Sequence, residues 1–127
     1  MTDGGDGRGA VSVLVVDDEA DLRKLVRLTL EFEDGVVVVA TVADGNEAVQ
    51  VAAACCPDVV VLDQMLGGRV TGIEVAALLR AAHPHTRVII FSASADVLDL
   101  RDGHIDAVLS KMAIDELPAM IRRVLTA

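Results

Sequence analysis

The feature that most constrains this chain is a strict alternation between short apolar runs and stretches of helical spacing. Val11–Val16 is an apolar run broken only by Ser12, and Val36–Val42, Asp58–Leu62, Thr86–Phe91 and Ala107–Leu109 repeat the pattern. Such runs, rich in β-branched residues and bounded by turn signals, read as strands buried on both faces. Between them lie segments of helical period. Ala20–Phe32 places Leu22, Leu25, Val26 and Thr29 on one face, widened by Leu28 and Phe32, and Asp34-Gly35 stops it. Asp44-Gly45-Asn46-Glu47 has the form of a capping box opening a helix that runs to Cys56, where Pro57 closes it. Thr71-Gly72-Ile73-Glu74 is a second such box, followed by a face of Val75, Leu78, Leu79 and Ala82. A short helix is expected over Asp96–Arg101 with Gly103 at its end, and a last one over Asp115–Leu125, with Pro118 in its first turn. No internal repeat of solenoid period is visible.

Strand and helix in strict alternation specify an α/β fold with a parallel sheet. Five such units in 127 residues suit a flavodoxin-like doubly wound sheet, strand order 2-1-3-4-5, with right-handed crossovers and helices on both faces. The expected organisation is a disordered Gly/Asp-rich tail over 1–10 and a single domain over 11–127, standing alone without an output domain. Aromatic residues are only 2% of the chain while apolar residues are 53%, so the core must be aliphatic. A net charge of −9 with no Lys/Arg-rich run argues against direct contact with nucleic acid. No stretch is apolar enough to span a membrane and no leader-type segment precedes the first strand, so a cytoplasmic location is expected. The adjacent Cys55 and Cys56 cannot make a disulfide framework and are expected as reduced, buried thiols at a helix end.

Polar residues break the apolar runs in one kind of place. Asp17 and Asp18 follow the first strand, Asp63 the third, Ser92 the fourth and Lys111 the fifth. In this winding the carboxyl ends of strands one and three flank the crevice where strand order reverses, so three carboxylates, a hydroxyl and an ammonium should converge there. Taken singly, each has a simpler reading. An Asp after a strand is commonly a turn former or cap, Asp18 or Glu19 could cap the first helix, and a lone Ser bonds local backbone. Taken jointly they carry chemistry. Three carboxylates this close raise one another's pKa, and a hard divalent ion such as Mg²⁺ resolves the conflict while leaving positions for phosphate. An Asp can then act as nucleophile toward phosphorus, with the Lys ammonium and Ser hydroxyl answering phosphoryl oxygens.

These residues resemble those of the response-regulator receiver domains of two-component signalling. The likeness runs from about Val11 to Leu125. It rests on Val13-Leu14-Val15-Val16-Asp17-Asp18-Glu19, Asp58-Val59-Val60-Val61-Leu62-Asp63, Gly72-Ile73-Glu74-Val75, Ile89-Ile90-Phe91-Ser92-Ala93 and Lys111. The resemblance implies that Asp63 is the phosphoacceptor, and that Asp17, Asp18, Asp63 and the backbone carbonyl of Met65 hold Mg²⁺. It implies that Ser92 swings to the phosphoryl group, that Ala93 leaves access to it, and that Lys111 bridges to it. A histidine kinase or histidine phosphotransfer protein would be the donor and a further protein the downstream target. The domain would catalyse its own phosphorylation without being a turnover enzyme. Three departures bear on output. No Pro follows the phosphoacceptor in Leu66-Gly67-Gly68, Val108 stands where receivers carry a switching aromatic, and Met112 stands where they carry Pro. Switching through the segment Ser94–Asp106 is therefore expected in place of a ring flip. Three rival readings differ at named points. A flavin site would need a phosphate-cradling loop where Asp17-Asp18-Glu19 stands, and a phosphatase resembling the aspartate-nucleophile hydrolases would need Asp at Glu19. A receiver-like binding module that has lost phosphorylation is the remaining alternative.

Overall fold

The computed structural model describes residues 10–66, 70–93 and 103–126. The expected tail, the loop over 67–69 and the short helix with its switching segment before Gly103 lie outside the described residues.

The strands are β1 (Val11–Val16), β2 (Val36–Val42), β3 (Val59–Leu62), β4 (Arg87–Ser92) and β5 (Ala107–Ser110), all parallel and ordered β2-β1-β3-β4-β5. Helices α1 (Ala20–Glu31), α2 (Gly45–Cys55), α3 (Gly72–Ala82) and α4 (Leu117–Thr126) cover the two faces. The apolar runs sort by the two-residue period of a strand. Leu14, Val16, Val60, Leu62, Val88 and Ile90 pack with Ala48 and Ala52 of α2 and Val75, Ala76 and Leu79 of α3. Val13, Val15, Val59, Val61, Ile89 and Phe91 pack with Val26 and Leu30 of α1 and with Leu117, Ile121 and Val124 of α4. A run apolar at every position thus feeds two cores at once, which is why it shows no alternation in sequence.

Local details amend several expectations. In α1 the buried line is Val26 and Leu30, with Leu22 partly covered, while Leu25, Leu28 and Phe32 face outward. The apolar positions form an arc of roughly 200° on the helix, wider than the line that is buried, so spacing alone could not select the inner residues within it. In α3, Leu78 is likewise exposed and Ala76 takes the buried place. Thr71 and Glu74 form the full reciprocal capping box, whereas at α2 Asp44 caps Glu47 N–H while Glu47 reaches back to Ala43 N–H. The last helix begins as 3₁₀ turns over Lys111–Glu116, kinked at Ala113, and becomes α-helical only at Leu117, just before Pro118. Cys55 and Cys56 are both free and both exposed rather than buried. Cys56 ends α2 in the left-handed region at φ 48°.

Candidate functional site

Strand register assembles the site. Val16 pairs with Leu62 across β1 and β3, so the next residues, Asp17 and Asp63, leave the sheet side by side. Asp63 N–H donates to the Val16 carbonyl at 2.9 Å and Asp17 N–H to the Val42 carbonyl at 3.1 Å, which fixes both backbones at the sheet's carboxyl edge. On the other side Ser92 pairs with Ser110, placing Lys111 just beyond the same edge.

The side chains converge as the spacing implied. One carboxylate oxygen from each of Asp17, Asp18 and Asp63 falls within 4.8 Å of the others, the one such group of three or more His, Cys, Asp or Glu among the described residues. Asp17 and Asp63 are buried, at 2% and 4% exposure, and Asp18 is open to solvent. Lys111 Nζ reaches into the cluster, 3.0 Å from Asp63 Oδ2 and 3.1 Å from Asp17 Oδ2. Ser92 is buried at the end of β4, and Ala93 is exposed in the turn that follows. Met65 N–H donates to Asp63 Oδ1 at 3.2 Å while the Met65 side chain points out to solvent. Val108 is half-buried in β5 and packs toward the α2/α3 core.

The electrostatics show the strain of this arrangement. Burial pushes the Asp17 carboxyl above the ordinary Asp value and the Asp63 charge adds to it, against the Glu19 N–H and Lys111, which favour the ionised form. Burial also opposes the charge on Lys111, yet its hydrogen bonds to Asp63 and Asp17 and their negative charges outweigh that and hold it above the ordinary Lys value. The donor set is all oxygen, mixed buried and solvent-facing, and more negative than one ammonium can balance. That is the composition a hard divalent cation with several retained waters requires.

Three neighbours have no chemical role assigned from sequence. Glu19 is expected from sequence as a cap of the first helix. It sits at that position without a capping bond, its N–H bound instead to Asp17 Oδ1 at 2.9 Å and its carboxylate 3.4 Å from Lys111 Nζ. Arg23 Nη1 donates to the Asp17 carbonyl at 2.7 Å, a contact that its place one helical turn past the acidic pair could have suggested. Gly72 packs against the backbone beneath the site. A Cβ there would lie 2.5 Å from the Asp63 carbonyl oxygen and 2.8 Å from Gln64 Cα, while its N–H bonds the Gln64 carbonyl at 2.9 Å. No short-range pattern reveals such a long-range approach.

Comparison with known proteins agrees with this geometry. Residues 13–122 match the family model described as the response regulator receiver domain. The probable transcriptional regulatory protein TcrX of Mycobacterium tuberculosis is 36% identical over 119 residues, spanning 91% of this chain and 50% of that protein. The response regulator domain of Thermotoga maritima CheB superposes with a TM-score of 0.82 at 27% identity, covering 93% of this chain and 98% of that one. A LuxR-family two-component response regulator from Aurantimonas sp. SI85-9A1 also gives 0.82, at 27% identity, with 92% and 86% covered. The chain spans about half the length of the first curated relatives it matches. Fold, strand order, carboxylate cluster and family match agree: this chain belongs to the response regulator receiver domains of two-component signal transduction.

Proposed function

We propose that Asp63 accepts the phosphoryl group in this receiver, with Mg²⁺ held by Asp17, Asp18, Asp63 and the Met65 carbonyl. The observation that carries the reading is the three-carboxylate group within 4.8 Å with Lys111 Nζ 3.0 Å from Asp63 Oδ2. The Asp63 carboxylate attacks phosphorus as the bond to the donor's imidazole nitrogen breaks, and the imidazole leaves with the electron pair. Bound Mg²⁺ would supply positive charge to the phosphoryl oxygens. Lys111, freed from part of its carboxylate contact, turns to a phosphoryl oxygen, Ser92 supplies a hydroxyl donor, and the small Ala93 leaves room for the group. The donor is a histidine kinase or histidine phosphotransfer protein, and the phosphorylated form is read by a further protein. The unit acting is the domain from residue 11 to 127. It carries out its own phosphorylation without being a turnover enzyme, in the cytoplasm, and with a charge of −9 it meets proteins rather than nucleic acid directly.

The test uses a small acyl phosphate with Mg²⁺ and intact-mass measurement. One phosphoryl adduct is expected on the wild type and none on Asp63→Asn. An adduct that survives the substitution would overturn the assignment. A second reading, a binding module that has lost phosphorylation, is favoured by one observation, the half-buried Val108 in the aromatic switch position. No adduct on the wild type under the same conditions would select it.

A further inference from the structure

All the strands of this sheet run the same way, so their amino ends meet at the pole opposite Asp63. The chain's two cysteines and two of its three histidines lie there, in the segments Cys55-Cys56-Pro57-Asp58 and His83-Pro84-His85. A cavity of about 310 Å³ opens between the entries to β3 and β4, lined among others by Cys56, Asp58, His83 and His85. Nothing in phosphoryl transfer uses these residues.

The backbone around this cavity is fixed. Thr86 Oγ1 donates to the Pro57 carbonyl at 2.9 Å in a buried bond, and Arg87 N–H to the Asp58 carbonyl at 2.9 Å, tying the two segments together. Cys56 N–H closes α2 on the Ala52 carbonyl at 2.8 Å, and His83 N–H closes α3 on the Leu79 carbonyl at 2.7 Å. Pro57 and Pro84 further restrict each segment. The Asp58 carboxylate is oriented by Ser12, whose N–H and hydroxyl both donate to Oδ2. Cys56, His83 and His85 therefore line a single concavity from anchored backbone, with the Asp58 carboxylate nearby and the Cys56 thiol resting against the Ala53 carbonyl at 3.9 Å. Thiol with imidazole is the donor combination of borderline-soft metals, in contrast to the all-oxygen set at the Asp63 pole.

We infer that this pole binds a borderline-soft transition-metal ion, Zn²⁺ or one of similar chemistry, through Cys56, His83 and His85. Their donor atoms are not gathered within 4.8 Å of one another in the ion-free chain, so binding requires side-chain rotation, with the Cys56 thiol leaving the Ala53 carbonyl. Cys56 and His85 are exposed and His83 half-exposed, which leaves that rotation open. A sulfur–metal bond replaces the S–H bond and the proton leaves to solvent. Asp58 contributes charge from its place against Ser12. Cys55 does not line the cavity and takes no part.

The test uses Co²⁺ as the probe on the full chain in reducing buffer, because only thiolate ligation gives an intense sulfur-to-cobalt charge-transfer band. One equivalent should produce the band, and Zn²⁺ should remove it by displacement. Excess Mg²⁺ should not, since that ion avoids sulfur. Cys56→Ser should abolish the band. His83→Ala and His85→Ala should each weaken Co²⁺ binding by at least about tenfold. Cys55→Ser and Asp18→Ala should leave it unchanged, and circular dichroism verifies that each variant is folded. The site assignment is overturned by a wild type without the band, by a band that survives Cys56→Ser or both histidine substitutions, or by one that is lost in Cys55→Ser or Asp18→Ala. Phosphorylation of Asp63 is measured separately, so either outcome here leaves that reading standing or falling on its own.

Discussion

At the scale of single residues, the site is a negotiation among charges. Asp17 is held above its ordinary pKa chiefly by burial. A carboxyl raised in the folded state costs stability when ionised. That cost is absent below the ordinary Asp value and fully in force above the folded one. Asp17→Asn should therefore melt higher than wild type at neutral pH without metal, and the gap should close as pH falls toward the ordinary carboxylate range. Lys111 has the opposite sign. Its stabilising contribution is complete below the ordinary Lys value and is lost as pH rises through its raised folded value. Because removing it strands buried carboxylates, Lys111→Ala should cost roughly 3 kcal/mol at neutral pH by denaturant unfolding. Gly72→Ala tests the backbone contact. A methyl pressed against the Asp63 carbonyl should cost about 1–3 kcal/mol and, on the proposed role of Asp63, slow acyl-phosphate labelling, since it displaces that residue's backbone. Asp17, Asp63, Ser92 and Lys111 were legible in the sequence because each interrupts an apolar run at the same end of a strand. The Arg23 contact had a signal in its place one turn past the acidic pair, whereas the meeting of Glu19 with Lys111 and the approach of Gly72 to Asp63 depend on how helices land on the sheet, which spacing does not encode.

At the scale of elements, α1 separates pattern from packing. Leu30 is fully buried, whereas Phe32 is 86% exposed, two positions on. Leu30→Ala should cost about 2–5 kcal/mol, as a buried leucine leaves a cavity. Phe32→Ala should shift stability by no more than about 0.5 kcal/mol, despite the larger side chain. Chemical denaturation of the two variants side by side checks this, and equal losses would contradict the placement. The strands were readable because a β-branched run flanked by turn residues has few alternatives. The inner line of α1 was not, because Leu22, Leu25, Val26, Leu28, Leu30 and Phe32 form an arc of roughly 200°, wider than the part that is buried. The last helix turns α-helical at Leu117, two residues after the expected start at Asp115, for a different reason. Helical spacing does not separate 3₁₀ turns from an α-helix, and the kink at Ala113 has no marker in composition.

At the scale of the whole molecule, the parallel sheet gathers the carboxylates of Asp17, Asp18 and Asp63 at its carboxyl ends, while Cys56, His83 and His85 line a cavity at the opposite pole. On the proposed Mg²⁺ site, the ion at a concentration about a hundredfold above its Kd should add roughly 2.7 kcal/mol to the free energy of unfolding, because only the folded chain gathers the three carboxylates. Asp18→Ala should lose most of that increment while keeping or raising metal-free stability, because it removes one of three mutually repelling charges. Thermal melts with and without Mg²⁺ read both effects. Lys111, lying between Asp63 and Asp17, gives this comparison a further meaning. An ammonium carried on the chain stands in as a resident counter-ion, so a newly made polypeptide need not wait for a mineral to arrive before it can close its core. On the Mg²⁺ site proposed above, the ion would carry no duty as scaffold and would come and go with the chemistry, at the tempo of the message rather than of assembly.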